Sequence, residues 1–402
     1  MRRQQKRAHC TRLLGALALT MADFAEKKTF KNKLMDQKMT VTTANTACAL
    51  PSDERVALLQ QWLHTLPQAW GIQVDSLAVA SADASFRRYF RVNTTQSAQP
   101  SLIVMDAPPT HEDCAPFIHV AQLFGGSGVN VPKILAQDLA QGFLLLSDLG
   151  NTTYLTALNA DMSQADALYR QALKALAQLQ SASQPNVLPD YDRQRLLDEM
   201  MLFPQWYLGV HYQYSLTDEQ TAALTKVFNA LLDNNTAQTS VWVHRDYHSR
   251  NLMVVDGALD DIAINPGIID FQDAVYGPIT YDVVSLLRDA YIEWPEDVQI
   301  DWLARYWEMA RAAGLAVPDT FDVFYRDFEF MGLQRHLKVL GIFARLYHRD
   351  GKSGYLNDLP LVLKYTRQVA ARYREFAPLL RLLDDVALKA GTSDTTQVGY
   401  TF

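Results

Sequence analysis

Apolar positions recur along this chain at two spacings, and the change from one to the other divides it. Val56, Leu59, Trp62, Leu63 and Leu66 follow the helical period behind Ser52-Asp53, a suitable N-cap, so a helix is expected at the start of the patterned region. The period then shortens. Residues 85–92 alternate in part between apolar and polar, and 102–105 and 143–146 are short apolar runs, all three reading as strands. Residues 112–124 between them read as a helix stopped by Gly125-Gly126. From Ser163 onward the helical period returns over 168–179, 219–232, 301–313 with Gly314 as stop, 328–347 and 361–383. Strands first and helices afterwards predict an α+β chain of two lobes, an antiparallel-sheet lobe over 51–147 and a larger, mostly helical lobe over 148–390. Residues 1–50 and 391–402 read as an extension and a loose tail.

Length agrees with this division, since 402 residues exceed one ordinary core. The net charge of -7 hides an asymmetry: residues 1–50 carry ten Lys/Arg against three Asp/Glu, leaving the remainder with 27 against 41. An acidic body argues against nucleic acid as partner. Arg2, Arg3, Lys6 and Arg7 before the apolar run 13–21 imitate a secretory signal. The run is short and lacks a clean Ala-x-Ala, so a basic low-complexity extension, or translation from Met21, Met35 or Met39, is the expectation. Cys10, Cys48 and Cys114 are odd in number and form no CxxC, which suits a reducing compartment without a zinc site. No stretch approaches the roughly 18 apolar residues of a membrane span, so a cytoplasmic monomer without membrane or nucleic-acid partners is expected.

The chemistry is concentrated in His244-Arg245-Asp246-Tyr247-His248-Ser249-Arg250-Asn251 and, nineteen residues after the asparagine, Ile268-Ile269-Asp270-Phe271. This spacing is that of the catalytic loop and metal-binding strand of a phosphotransferase. Asp246 is the candidate catalytic residue, taking a proton from an attacking hydroxyl, while Asn251 and Asp270 hold the Mg2+ that bridges the phosphates of ATP. The chain supplies a control: His348-Arg349-Asp350 repeats the tripeptide but has Tyr355 at the asparagine position, and reads as a charged helix end. Gly351-Lys352-Ser353 has Leu346 where a P-loop needs glycine, and Gly126-Ser127-Gly128 has Val131 where a dinucleotide fingerprint needs one.

Protein kinases follow the metal aspartate with an extended segment and an A-P-E motif. Here Phe271-Gln272-Asp273-Ala274-Val275-Tyr276-Gly277-Pro278 runs directly into Tyr281-Asp282 and a helix. Over residues 75–380 the chain therefore resembles the aminoglycoside phosphotransferase and choline kinase group, with Gly277, Pro278 and Asp282 matching that group's glycine, proline and loop-buttressing aspartate. The resemblance implies a bilobal protein-kinase-like fold using ATP and Mg2+ on a small hydroxylated molecule. Ser81 to Arg91, Val104 to Pro109, Phe143 to Gly150 and Met331 to Val339 are similar to the cell-wall amino-sugar kinases within that group. These phosphorylate N-acetylmuramate and N-acetylglucosamine at the anomeric carbon, which implies a role in peptidoglycan recycling. The alternatives are a kinase of another small hydroxylated molecule, an aminoglycoside or amino alcohol, and a nucleotide-binding adaptor without turnover.

One departure prompts the adaptor alternative. The third strand reads Met105-Asp106, without the lysine that kinases of this fold pair with the phosphates. Arg88, sharing a face with Phe86 and Phe90, is the first substitute, its other reading being a surface arginine covering the sheet. Ser81, Asp83 and Ser85 would form the loop over the phosphates. Ser147, Asp148 and Leu149 would form the adenine hinge or, equally, a simple turn. A carboxylate on N-acetylmuramate asks for a cation, with Arg250, Arg335, His336, Lys338 and Arg345 as candidates. Helical spacing puts Arg335 and Lys338 on one face and His336 on another. Asp273 is a sugar contact or a turn residue.

Overall fold

The computed structural model describes residues 53–82, 86–255, 257, 261 and 263–391. The expectations for the extension 1–50, for Asp83 and Ser85, and for the tail beyond 391 lie outside the described residues. Helix α1 (Glu54–Thr65) is capped by Asp53, whose carboxylate accepts the Val56 N–H at 2.9 Å. It buries Val56, Leu59, Trp62 and Leu63, the stripe read from the sequence. Five strands follow, β1 (Ile72–Ala82), β2 (Arg88–Thr94), β3 (Ser101–Asp106), β4 (Ile134–Asp138) and β5 (Phe143–Ser147), in an antiparallel sheet of order β1-β2-β3-β5-β4.

Two of these strands escaped the sequence pattern. β1 shifts register between Gln73 and Ala78, which breaks the period of two. β4, at the sheet edge, alternates half-buried with exposed positions and has no fully buried stripe.

The sheet has two unlike faces. Phe90, Val92, Leu102, Val104, Phe143 and Leu145 pack under α1. Met105, Leu144 and Leu146 face the other way and join one apolar core with helix α2 (Ala115–Gly126) and the helical part. Alternation along β2 and β3 therefore puts Arg88 and Asp106 on the α1 face. Asp106 is fully buried there, accepting Arg88 Nε at 2.9 Å and Arg55 Nε at 2.9 Å, while Arg88 also pairs with Asp53. This corrects the expectation for Arg88: Phe90 belongs to the core behind the sheet while Phe86 is exposed and stacks on His111, and the arginine bolts α1 to the sheet instead of entering the cleft.

Helices then dominate: α3 (Tyr154–Ala160), α4 (Ala165–Ser181), α5 (Arg193–Met200), a π-helix (Phe203–His211), α6 (Asp218–Asn235), α7 (Thr280–Leu287), α8 (Glu296–Ala312), α9 (Phe321–Asp350), α10 (Leu359–Arg372) and α11 (Ala377–Ala390). The span 361–383, expected as one helix, is two, interrupted at Tyr373 with Pro378 in the first turn of α11. The second His-Arg-Asp forms the exposed end of α9, stopped by Gly351 in the left-handed region (φ 70°). At Gly341, midway along α9, a Cβ would stand 2.4 Å from the Leu202 backbone carbonyl carbon, so only glycine lets α9 lie against the start of the π-helix. Among the described residues no helix is long and apolar enough to cross a membrane.

Candidate active site

Two short ladders hold the motif. β6 (Ser240–Val243) pairs with β9 (Val275–Pro278), and β7 (Leu252–Met253) with β8 (Gly267–Ile268). Residues 244–251 hang between β6 and β7, and 269–274 between β8 and β9. The Ile269 N–H donates to Asn251 O at 3.1 Å, which brings the two segments side by side. Asn251 Nδ2 then lies 3.0 Å from Asp246 O and 3.2 Å from Asp270 Oδ2, and Gln272 Nε2 donates to Asp270 Oδ1 at 2.9 Å. Two buried carboxylates brace the loop from α7 and beyond. Asp282 accepts the N–H groups of His244 (2.6 Å) and Arg245 (3.0 Å), and Asp289 accepts those of Ser249 (3.0 Å) and Tyr291 (3.1 Å). Arg245 (φ 78°) and Asp270 (φ 65°) both adopt the left-handed backbone that non-glycine residues avoid, held there by these bonds.

Charge in this loop is set by its surroundings. Burial pushes Asp246 up, but the positive charges of Lys338, His248, Arg335 and Arg245 outweigh it and hold the carboxyl down at about 2. Burial raises Asp282 to about 7 despite its two N–H donors. Burial likewise pushes His244 down to about 4, and its geometry agrees: Nδ1 accepts the Asp246 N–H at 3.2 Å while Nε2 donates to Ile269 O at 3.0 Å, a neutral ring used at both nitrogens.

A depressed histidine takes fewer protons folded than unfolded, so its contribution to stability is complete above pH 6.5 and is lost as pH falls toward 4. Between pH 7.5 and 5 the wild type should lose about 2 kcal/mol more unfolding free energy than His244→Gln. Urea titrations at the two pH values test this, and parallel losses in both proteins would refute it.

The cleft between sheet and helices has a volume of about 720 Å³. Its sheet side is lined by Ala80, Tyr89, Arg91, Ile103, Ser147 and Leu149, and its helical side by Tyr291, Arg335, Lys338, Ile342, Phe343 and Tyr355. Asp246, Asn251 and Asp270 stand on the wall between, with Asp273 and Arg250 beside them. Ser147 extends the sheet, its N–H donating to Lys133 O and its hydroxyl accepting the Lys133 N–H. Asp148 also lines the cleft, where it takes the Arg91 guanidinium, the Ser101 hydroxyl and the Gly150 N–H. Ser81 pairs through its backbone with Tyr89 at the end of β1.

Arg335 and Lys338 share the cleft-facing side of α9, as the helical spacing predicted. His336 does not reach the cleft. It is buried on the opposite side, stacked 5.2 Å from the Tyr365 ring with Nε2 3.4 Å from Arg288 O, and burial together with the Arg288 and Arg335 charges drives its pKa well below the ordinary histidine range. Arg345 also lies outside the lining.

Two further residues join the site without having been candidates: Arg91, which alternation along β2 puts on the cleft face with Tyr89, and Glu199, which no local signal marks. Glu199 on α5 pairs with both Arg245 and Lys338 (3.1 Å), and Lys338 also donates to Tyr281 Oη at 2.8 Å. Among the described residues no group of three or more His, Cys, Asp or Glu is arranged to hold a metal. Asn251 and Asp270 offer an amide–carboxylate pair instead.

A sheet-and-helix cleft with this loop on its wall defines a small-molecule phosphotransferase. Residues 76–317 match the profile of the phosphotransferase enzyme family, and the chain belongs to that family. It is 47% identical to the N-acetylmuramate/N-acetylglucosamine kinase of Neisseria meningitidis serogroup B over 351 residues, 87% of this chain and 100% of that protein. A protein of the same name from Pseudomonas putida is 46% identical over 346 residues, 84% and 98% of the two chains. Among solved structures, the GDP complex of wild-type aminoglycoside 2'-phosphotransferase-IIIa covers 79% of this chain and 99% of its own at a TM-score of 0.55 and 14% identity. A choline kinase from Cryptosporidium parvum covers 82% and 98% at 0.53 and 10%. These two share the protein-kinase-like fold.

Proposed function

We propose that this chain is a cytoplasmic, ATP-dependent kinase that phosphorylates the anomeric hydroxyl of N-acetylmuramate and N-acetylglucosamine, returning cell-wall amino sugars to use. The observation that carries this reading is the meeting of Asp246 with the Asn251–Asp270 pair on a wall between two differently lined halves of one cleft, in a chain nearly half identical to relatives bearing that name. The sheet side, ending at Ser147 and Leu149, takes the nucleotide. The helical side takes the sugar, and its cations Arg250, Arg335 and Lys338 disfavour the polycationic acceptors of aminoglycoside kinases.

Asp246, ionised at any working pH, orients the sugar hydroxyl and accepts its proton as oxygen bonds to the γ-phosphorus and the bridging oxygen leaves with ADP. The anomeric hydroxyl suits so weak a base because the ring oxygen makes it more acidic than its neighbours. Asn251 and Asp270 present oxygen donors of the kind Mg2+ prefers, and would hold the ion; when bound it neutralises charge on the phosphates. Arg245, anchored by Glu199, and His244 fix the loop so that Asp246 meets the acceptor in one orientation.

The test is magnesium-dependent ATP consumption with each sugar in parallel, with phosphorus NMR to locate the product phosphate. Turnover yielding an anomeric phosphate is the expected result. Silence with both sugars, or phosphate on another carbon, would overturn the reading.

A further inference from the structure

We infer that Arg335 is the receptor for a carboxylate carried by the acceptor and thereby sets the preference between acidic and neutral amino sugars; this rests on the sugar-kinase reading above. Arg335 is 6% exposed and projects from α9 into the helical side of the cleft. Among the described residues its guanidinium has neither a carboxylate within ion-pair distance nor a hydrogen-bond partner, its neighbour being the Tyr281 ring 5.6 Å from Cζ.

The other cations of the lining are engaged or solvated. Arg91 pairs with Asp148, Arg245 and Lys338 share Glu199, and Arg250 is exposed, lying flat on the Tyr291 ring at 3.5 Å. A guanidinium taken out of water without a counter-ion is costly, and its planar fork fits a carboxylate through two parallel hydrogen bonds. A lysine in its place would offer only a point charge.

Position selects the acceptor over the nucleotide as source of that carboxylate. The acidic side chains whose charges act on Arg335 are Asp246, Asp289 and Asp282, the first placed to meet the acceptor hydroxyl and the other two bracing the loop that carries it. Val339, Ile342 and Phe343 continue the same face of α9 beyond the two cations. An acidic sugar, with a carboxylate on one substituent and methyl groups on its acetyl and ether arms, matches a wall that is cationic at one end and apolar at the other. A neutral sugar offers nothing to Arg335.

The experiment measures kcat/KM for N-acetylmuramate and N-acetylglucosamine with wild type, Arg335→Met and Arg335→Lys, each checked for an unchanged thermal melt with MgATP. The acid-to-neutral ratio should fall on the order of 10²-fold in Arg335→Met, carried mainly by KM for the acid, and recover in part in Arg335→Lys. Equal losses for both sugars, which would place the arginine at the transferring phosphate, or an unchanged ratio, would overturn the inference. Wild type inert toward both sugars would instead remove the sugar-kinase reading, and the inference with it.

Discussion

Asp270→Asn should lose turnover by about 10³-fold or more, because a group holding the ion that neutralises phosphate charge is worth several kcal/mol in the transition state. The replacement keeps the size of the side chain and one of its two accepted hydrogen bonds, from Asn251 or Gln272, so the fold is expected to survive. A second readout separates loss of the ion from loss of structure: MgATP should raise the melting temperature of wild type, and that magnesium-dependent rise should vanish in the variant. Turnover within tenfold of wild type, or an intact magnesium effect, would show that the ion is held elsewhere.

Asp246→Asn should behave differently. General-base assistance is typically worth 10²–10⁴-fold, so kcat should fall by that amount while the magnesium-dependent stabilisation by ATP persists. Its pH dependence is distinctive. The neighbouring cations hold Asp246 at about 2, so its protonation removes activity only far into acid, and any acid limb between pH 5 and 7 must come from another group. A variant that kept a tenth of the wild-type kcat would dismiss Asp246 as the base.

The central motif was legible because its residues lie within one loop and one strand, where spacing is itself geometry. Asp246, Asn251 and Asp270 gather on one wall as the interval between the two segments implied. Helical period alone put Arg335 with Lys338 and His336 on another face, but it left His336 a candidate, because spacing does not say which face of α9 turns to the cleft. What failed was the assignment of a face to a strand. The alternation of Arg88 with Phe90 looks identical whether that face borders a cleft or a core, and only the presence of α1 behind the sheet decides between them, while Phe86 lies before the strand and is exposed. Glu199 could not be foreseen at all, since nothing in α5 marks it and its role exists only once Arg245 and Lys338 converge on it. β1 and β4 were missed for related reasons, their periodicity being erased by a register shift and by an edge position.

The close approach at Gly341 bears on how such an enzyme can change its diet. The cleft-facing residues of α9 are Arg335, Lys338, Val339, Ile342, Phe343 and Leu346, all on one side, while the helix is moored at Gly341 against Leu202. Mooring and lining thus occupy different positions of one rigid rod. Rewriting the lining leaves the rod where it was, so new acceptors are open to single substitutions that spare the fold. Adding even a methyl group at the mooring would shift every lining residue at once, which makes position 341 the place where acceptor choice and architecture cannot be varied separately.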